Sequence, residues 1–327
     1  MMPPGTKNLS QRTSVEGPLA PRPSPLEESW RLLKGNRLAL TGLIIFVIFF
    51  CTALVGLMLT SGTRPIFDPA MVRLQEKLRP PLSEPNLETL RPEEVPRLGV
   101  YLFGTDDLGR DVFARMLQGA WVSLTVGFVA VGISVIVGIF MGGIAGYFGQ
   151  DRASIDTLIM RFVDIMLCFP SFFLILTVVA LLPASMYNIM IVIGLTSWMG
   201  TTRFVRAEFL SLREQDFVTA ARALGVNQWR IIFRHMIPNA IAPVLVSATI
   251  GIATAILTEA GLSFLGFGVP PPHATWGGIL SDGKRFIFDA PWLTFAPGFA
   301  ILIVVLSFNL FGEGLRDILN PKLRERY

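Results

Sequence analysis

Read from its N-terminus, the chain alternates between polar, proline-punctuated stretches and long runs almost free of charged side chains. A bilayer core of about 30 Å is crossed by roughly 20 helical residues, so each run is read as a span and its internal breakers decide the count. Residues 38–60 form the first span. Residues 116–150 hold 35 uncharged positions and give a second, long or tilted span. The 38 uncharged positions of 165–202 exceed one helix and suit two, with Pro183-Ala184-Ser185 as the turn between them. A fifth span covers about 240–264, with Glu259 near its far end, and a sixth about 293–312, entered through Pro291 and Pro297. The expected fold class is all-α: a polytopic membrane protein with six transmembrane helices.

Composition agrees with that pattern. Of 327 residues, 52% are hydrophobic and 16% charged, and the mean hydropathy is +0.56, an apolar excess that excludes a soluble enzyme. The net charge of +4 is small and its basic residues are interleaved with acids, so nucleic acid is not an expected partner. Placing both termini in the cytoplasm puts 18 of the 28 basic residues inside. Residues 1–37 then read as a cytoplasmic tail and 313–327 as a second one. Residues 61–115 form an external segment with prolines at 65, 69, 80, 81, 85, 92 and 96, extended apart from at most one short helix near 72–78. Residues 116–312 make a five-helix core interrupted by a cytoplasmic loop at 203–239.

Catalytic chemistry has little to build on. Cys51 and Cys168 sit in apolar runs and read as inert thiols; His235 and His273 fall on opposite sides of the bilayer, so no nucleophile–histidine or two-histidine metal site can assemble. No catalytic residue, metal or cofactor is expected. Gly278 to Lys284 fits G-x-x-x-x-G-K, but Arg285 stands where magnesium needs Ser or Thr, and no strand precedes it. Any energy source must therefore be another subunit or an ion gradient. Asp164, expected to pair with Arg161 three residues earlier, and Glu259 are the acids placed to line a path; Glu259 alternatively hydrogen-bonds a turn. Gly138, Gly142 and Gly146 share one helix face and read as a packing seam.

The loop at 203–239 is the most ordered pattern in the chain. Residues 216–224 read as a short helix stopped by Gly225 in a left-handed conformation. Asn227 caps a second helix, ended by Pro238, whose Trp229, Ile232, Phe233, Met236 and Ile237 share an apolar face. The run Ala220, Ala221, Gly225, Ile237, Pro238 resembles the EAA loop of ABC-importer permeases, with Thr219 where that motif usually has an acid. A second stretch, from Gly104, Thr105, Asp106 through Gly109, Arg110 and Asp111 to Arg115, is similar to the signature before span two in the C-type dipeptide/oligopeptide/nickel permeases; it reads as an amphipathic helix carrying Leu108, Val112 and Met116. Glu259-Ala-Gly-Leu-Ser-Phe-Leu-Gly-Phe-Gly and Thr275-Trp-Gly match as well.

The resemblance implies the type I importer permease fold and a non-catalytic subunit in the bacterial inner membrane. Its implied partners are a homologous B-type permease, two ABC ATPase subunits and an extracytoplasmic solute-binding protein. Thr219, Ala220, Ala221, Arg222, Gly225 and Pro238 are the implied ATPase-coupling residues. Short peptides are the first substrate class it implies, with nickel chelates and glutathione as alternatives. The rival reading is an ion-coupled secondary transporter without ATPases, for which the sequence lacks both a repeat and a convincing midplane carboxylate pair.

Overall fold

The computed structural model describes residues 31, 33–63, 65–149 and 153–319, so most of the expected N-terminal tail and residues 320–327 lie outside it. Among the described residues helices dominate and no strand forms; the only β-pairings are the isolated bridges Ser83–Tyr101 and Thr105–Asp111. Helix α1 (Arg37–Thr60) starts where Asn36 accepts the Ala39 N–H at 3.1 Å and ends where the first apolar run ends. Helix α2 (Val112–Phe148) has 37 residues and is about 55 Å long, well beyond a bilayer core. It begins ahead of its uncharged run because Asp111 caps it through the Phe113 N–H at 2.9 Å.

The third span is not a single helix. α3 (Ala153–Leu167) and α4 (Ser171–Leu181) meet at an 82° bend, against the expected straight helix beginning at 165. Pro170 explains the break, since it has no N–H to donate and disfavours helical backbone at Phe169. After the predicted turn at Pro183, α5 (Met186–Arg213) runs 28 residues. Its second half carries Thr201, Thr202, Arg203, Arg206 and Glu208, so it lacks the hydropathy of a crossing helix. Among the described residues four helices are long and apolar enough to cross a membrane, or five with the bent pair taken as one; the count of six is not reached on that criterion.

Beyond α5 come α6 (Asp216–Ala223), α7 (Gln228–Ile231), α8 (Ile237–Phe264), α9 (Trp276–Gly283) and α10 (Trp292–Leu319). Pro297 lies inside α10 and does not open it. α2 is the axis of the bundle, flanked by α1, α5 and α8. The three glycines at i, i+4, i+8 are the seam with α5, as their spacing predicts. A Cβ on Gly138 would lie 2.5 Å from the Thr201 methyl, and one on Gly146 would lie 2.6 Å from Phe209 Cβ. The proline-rich segment is folded rather than extended, with a single 3₁₀ turn at Leu74–Glu76 in place of the short helix. Its anchor is Glu76, fully buried, whose carboxylate accepts from Arg79 Nε at 3.0 Å and from the Asn86 N–H at 3.1 Å.

Candidate functional site

The two signature stretches sit at opposite ends of α2. At its C-terminal end is a helical elbow. α5 continues to Arg213, ten residues past the expected boundary, so the connecting segment shrinks to 214–236. Gly225, at φ +69°, stops α6: its N–H reaches Arg222 O at 2.9 Å and the Val226 N–H reaches Ala221 O at 3.1 Å, a closure open to glycine without strain. Asn227 Oδ1 then accepts the Trp229 N–H at 2.9 Å and opens α7, as the sequence predicts.

Pro238 does not end that helix. Residues Ile232–Met236 form a π turn, in which the Ile237 N–H bonds Ile232 O, and the chain continues through Pro238 into α8. An α-helical Pro238 would clash with the carbonyl of Arg234 and leave it without a donor; the wider turn makes room. The predicted stripe divides. Ile231, Ile232 and Met236 pack with Val218, Ala221 and Phe209, whereas Trp229 and Phe233 stack on each other in the open, ring centroids 6.0 Å apart. Leu224, 83% exposed, stands beside the turn, and Phe217 is exposed on α6.

The alanine pair divides in the same way, Ala220 facing out and Ala221 in. Thr219 Oγ1 donates to Gln215 O at 2.8 Å, so the side chain at the usual acidic position is used within its own helix. Arg222 turns inward, its guanidinium 4.9 Å from the centre of the buried Tyr147 ring. Arg213 also approaches that ring and donates to Tyr147 O at 2.5 Å. Pro238 is exposed. The elbow is thus fastened to the end of α2 by two cations on one aromatic ring, a link with no periodic signal in the sequence.

At the other end of α2, residues 104–111 are a hooked loop, not the expected amphipathic helix, and only 112–115 are helical. Gly104 and Gly109 take φ of +74° and +70°, and a Cβ on Gly109 would lie 1.8 Å from Arg73 O. Thr105 Oγ1 donates to Glu76 O at 2.5 Å and accepts the Arg79 N–H at 2.8 Å. Asp106, fully buried, accepts two backbone N–H groups (Leu108 and Arg110, both 2.9 Å) on one oxygen. Its other oxygen takes Arg110 Nε at 2.7 Å and Arg115 Nη1 at 2.6 Å. Both arginines also reach Asp282 on α9, at 3.2 and 2.8 Å, and Trp292 Nε1 on α10 donates to Thr105 O at 3.2 Å. Burial pushes the Asp111 carboxyl above its ordinary range while its capping bond pulls the other way. Asp106, Arg110, Asp111 and Arg115 hold the loop to α2 and α9, and Thr105 ties it to Glu76 and Arg79 and, through its carbonyl, to α10, so the stretch is a clasp.

Both candidate path acids are held by neighbouring side chains. Asp164 pairs with Arg203 on α5 rather than with Arg161, and one turn-pair away Asp156 takes both Arg206 Nε and Nη2 at 2.5 Å, so two ion pairs join α3 to α5. Glu259 is fully buried and accepts from Ser263 Oγ at 2.6 Å beside Thr275, the N-cap of α9, so it hydrogen-bonds the turn and does not line an open path. The G-x-x-x-x-G-K stretch is α9 itself, with Lys284 Nζ on Phe264 O at 3.2 Å, and not a phosphate-cradling loop. Among the described residues no cluster of three or more His, Cys, Asp or Glu is arranged to hold a metal ion.

Helices of bilayer length packed around α2 define a multi-pass membrane protein. Its relatives agree. A family model for the "binding-protein-dependent transport system inner membrane component" matches residues 134–325, and one for the N-terminal transmembrane domain of oligopeptide transport permease C matches 24–81. The dipeptide transport system permease protein of Alkalihalophilus pseudofirmus is 44% identical over 92% of this chain and 91% of its own length. The oligopeptide transport system permease protein of Bacillus subtilis is 36% identical (89% and 88%), and the di/tripeptide permease of Pseudomonas aeruginosa 38% (97% and 99%). In fold the chain is similar to a permease chain in an inward-facing structure of the MetNI methionine ABC transporter, with TM-score 0.52 and 17% identity, over 64% of this chain and 98% of that one. The chain belongs to the family of binding-protein-dependent transport inner-membrane components, the permease subunits of ABC importers, and is a multi-pass protein of the inner membrane.

Proposed function

We propose that this chain is the C-type half of an ATP-driven importer of short peptides. It would work with a homologous B-type permease, two ATPase subunits and an extracytoplasmic solute-binding protein. The observation that carries the coupling role is the elbow: an exposed apolar ridge of Phe217, Leu224, Trp229 and Phe233 on a segment whose opposite side is packed onto α2 and α5. A monomer gains nothing by exposing Trp229 and Phe233 on a short connecting segment; a partner groove that buries them does. The elbow faces the cytoplasm, with both termini on that side, and the clasp faces outward. Peptide substrates are favoured over nickel chelates or glutathione because the relatives at 34–44% identity are named for dipeptide and oligopeptide transport.

In this reading the ATPases pull on Ala220, Leu224 and the Trp229–Phe233 pair, while Ala221, Arg222 and Tyr147 pass the displacement to α2. Gly225→Asp tests it: the position has open space around it but needs φ +69°, so the variant strains the elbow without touching the spans. The complete complex reconstituted in vesicles should keep its assembly and lose ATP-dependent uptake of labelled dipeptide. Normal uptake by that variant would overturn the coupling assignment.

A further inference from the structure

Helix α1 leans across the bundle. Near its start a Cβ on Gly42 would lie 2.7 Å from the Phe311 nitrogen of α10, whereas near its end Gly56 abuts the Leu117 carbonyl of α2. In passing from one neighbour to the other α1 parts from α10, and the wedge between them is a cavity of about 450 Å³, the volume class of small-molecule sites. Phe49 and Thr52 of α1 form one wall, Ala296 and Phe299 of α10 the other, and Met116 and Trp276 lie between them. Phe103 and Phe113 line the end nearer the clasp, edge to face at 5.6 Å, and Phe113 meets Phe67 of the proline-rich segment in the same way. The polar side chains of the lining bond their own surroundings: Thr52 Oγ1 donates to Ile48 O at 2.9 Å and Trp276 Nε1 to Met116 O at 3.2 Å. A water there would lack the two to four polar partners it needs, so the wedge suits an apolar occupant. Both walls border exposed apolar residues, Ile48 and Val55 on α1 and Phe295 and Leu302 on α10, so the cavity is continuous with the surface that these spans turn to the bilayer. Along α2 it reaches from Phe113 to Ala120, a rise of about 10 Å, which falls within the ~15 Å of hydrocarbon in one leaflet.

We infer that this wedge is an acyl-chain site, holding one hydrocarbon tail of a phospholipid from the leaflet nearer the clasp. The tail completes the packing of Phe49, Met116 and Phe299 and backs Phe103 and Phe113, so the lipid braces the external segment as well as the spans. The site follows from the chain's place in a bilayer and not from the peptide reading, so either can fail without the other.

The test is photocrosslinking of the full-length chain, in its purified complex, in nanodiscs made with a phosphatidylethanolamine that carries a diazirine midway along one acyl chain. Met116 lines the wedge, and Met58, 78% exposed on α1, reports ordinary lipid contact. Peptide mass spectrometry should find the lipid adduct on both. Thr52→Trp and Ala296→Phe, which fill the wedge from opposite walls, should each lose the Met116 adduct and keep the one on Met58. The Met58 adduct also shows that each variant is folded into the bilayer. Adducts on Met58 with none on Met116, as when a side chain of a second subunit fills the wedge, overturn the site. So do Met116 adducts that persist in both variants.

Discussion

Asp106→Asn is the sharpest test of the clasp. Asn keeps the shape and the oxygen that accepts the Leu108 and Arg110 N–H groups, but turns an amide N–H₂ toward two guanidinium groups that now share a carboxylate oxygen at 2.7 and 2.6 Å. Arg115 and Arg110 keep only Asp282, whose side chain is 37% exposed and which holds both through one oxygen. Removing one member of a buried ion pair costs about 3–5 kcal/mol, and the surviving Asp282 contacts argue for the lower end, ~3 kcal/mol. That is roughly a hundredfold rise in the local opening constant of the hook, with the spans unaffected. Hydrogen–deuterium exchange on the purified complex reads it directly: amides of 73–82 and 104–112 should lose protection while α5 and α8 do not. Asp282→Asn, at a half-buried site, should cost less, ~1 kcal/mol. Unchanged exchange in Asp106→Asn, or equal effects of the two variants, would refute the clasp as the source of order in this segment.

Gly146→Leu should separate α2 from α5, because even its Cβ would meet Phe209 Cβ at 2.6 Å and Arg206 O at 2.9 Å, whereas Gly132→Ala, with nothing within 4 Å, should leave thermal stability unchanged; similar melting of both would discard the seam. Asp156→Ala should cost ~1 kcal/mol, and the charge exchange Asp156→Arg with Arg206→Asp should recover part of it in a double-mutant cycle; additive losses would mean that the pair contributes nothing. Glu259→Gln should keep uptake, since the amide oxygen still accepts from Ser263; loss of uptake by the assembled variant, together with ATP-independent, gradient-driven uptake by the unaltered protein, would favour the secondary-transporter reading instead.

What the sequence discloses and what it hides divide along a physical line. Apolar runs, capping residues and glycine spacing are local properties, so the ends of α1, the Pro183 turn, the Gly225 stop, the Asn227 cap and the seam along α2 follow from them. Where a tertiary contact or a backbone defect decides, the local pattern misleads. Leu108, Val112 and Met116 have helical spacing, but Asp106 is worth more as the hub of four hydrogen bonds than as a first-turn helix acid, and it holds the loop in a hook. Asp164 is three residues from Arg161, yet Arg203 on α5 takes it. Pro238 looks like a terminator and becomes the cause of a π turn. The segment around that turn matters most for mechanism: Trp229 and Phe233 are exposed while Ile231, Ile232 and Met236 are in the core, so one short stretch has a face for the bundle and, in the proposed function, a face for a partner. In the proposed coupling the segment enters from α5 and leaves into α8, and Arg213 and Arg222 meet on Tyr147, so a force on the ridge would pass to α5, α8 and the end of α2.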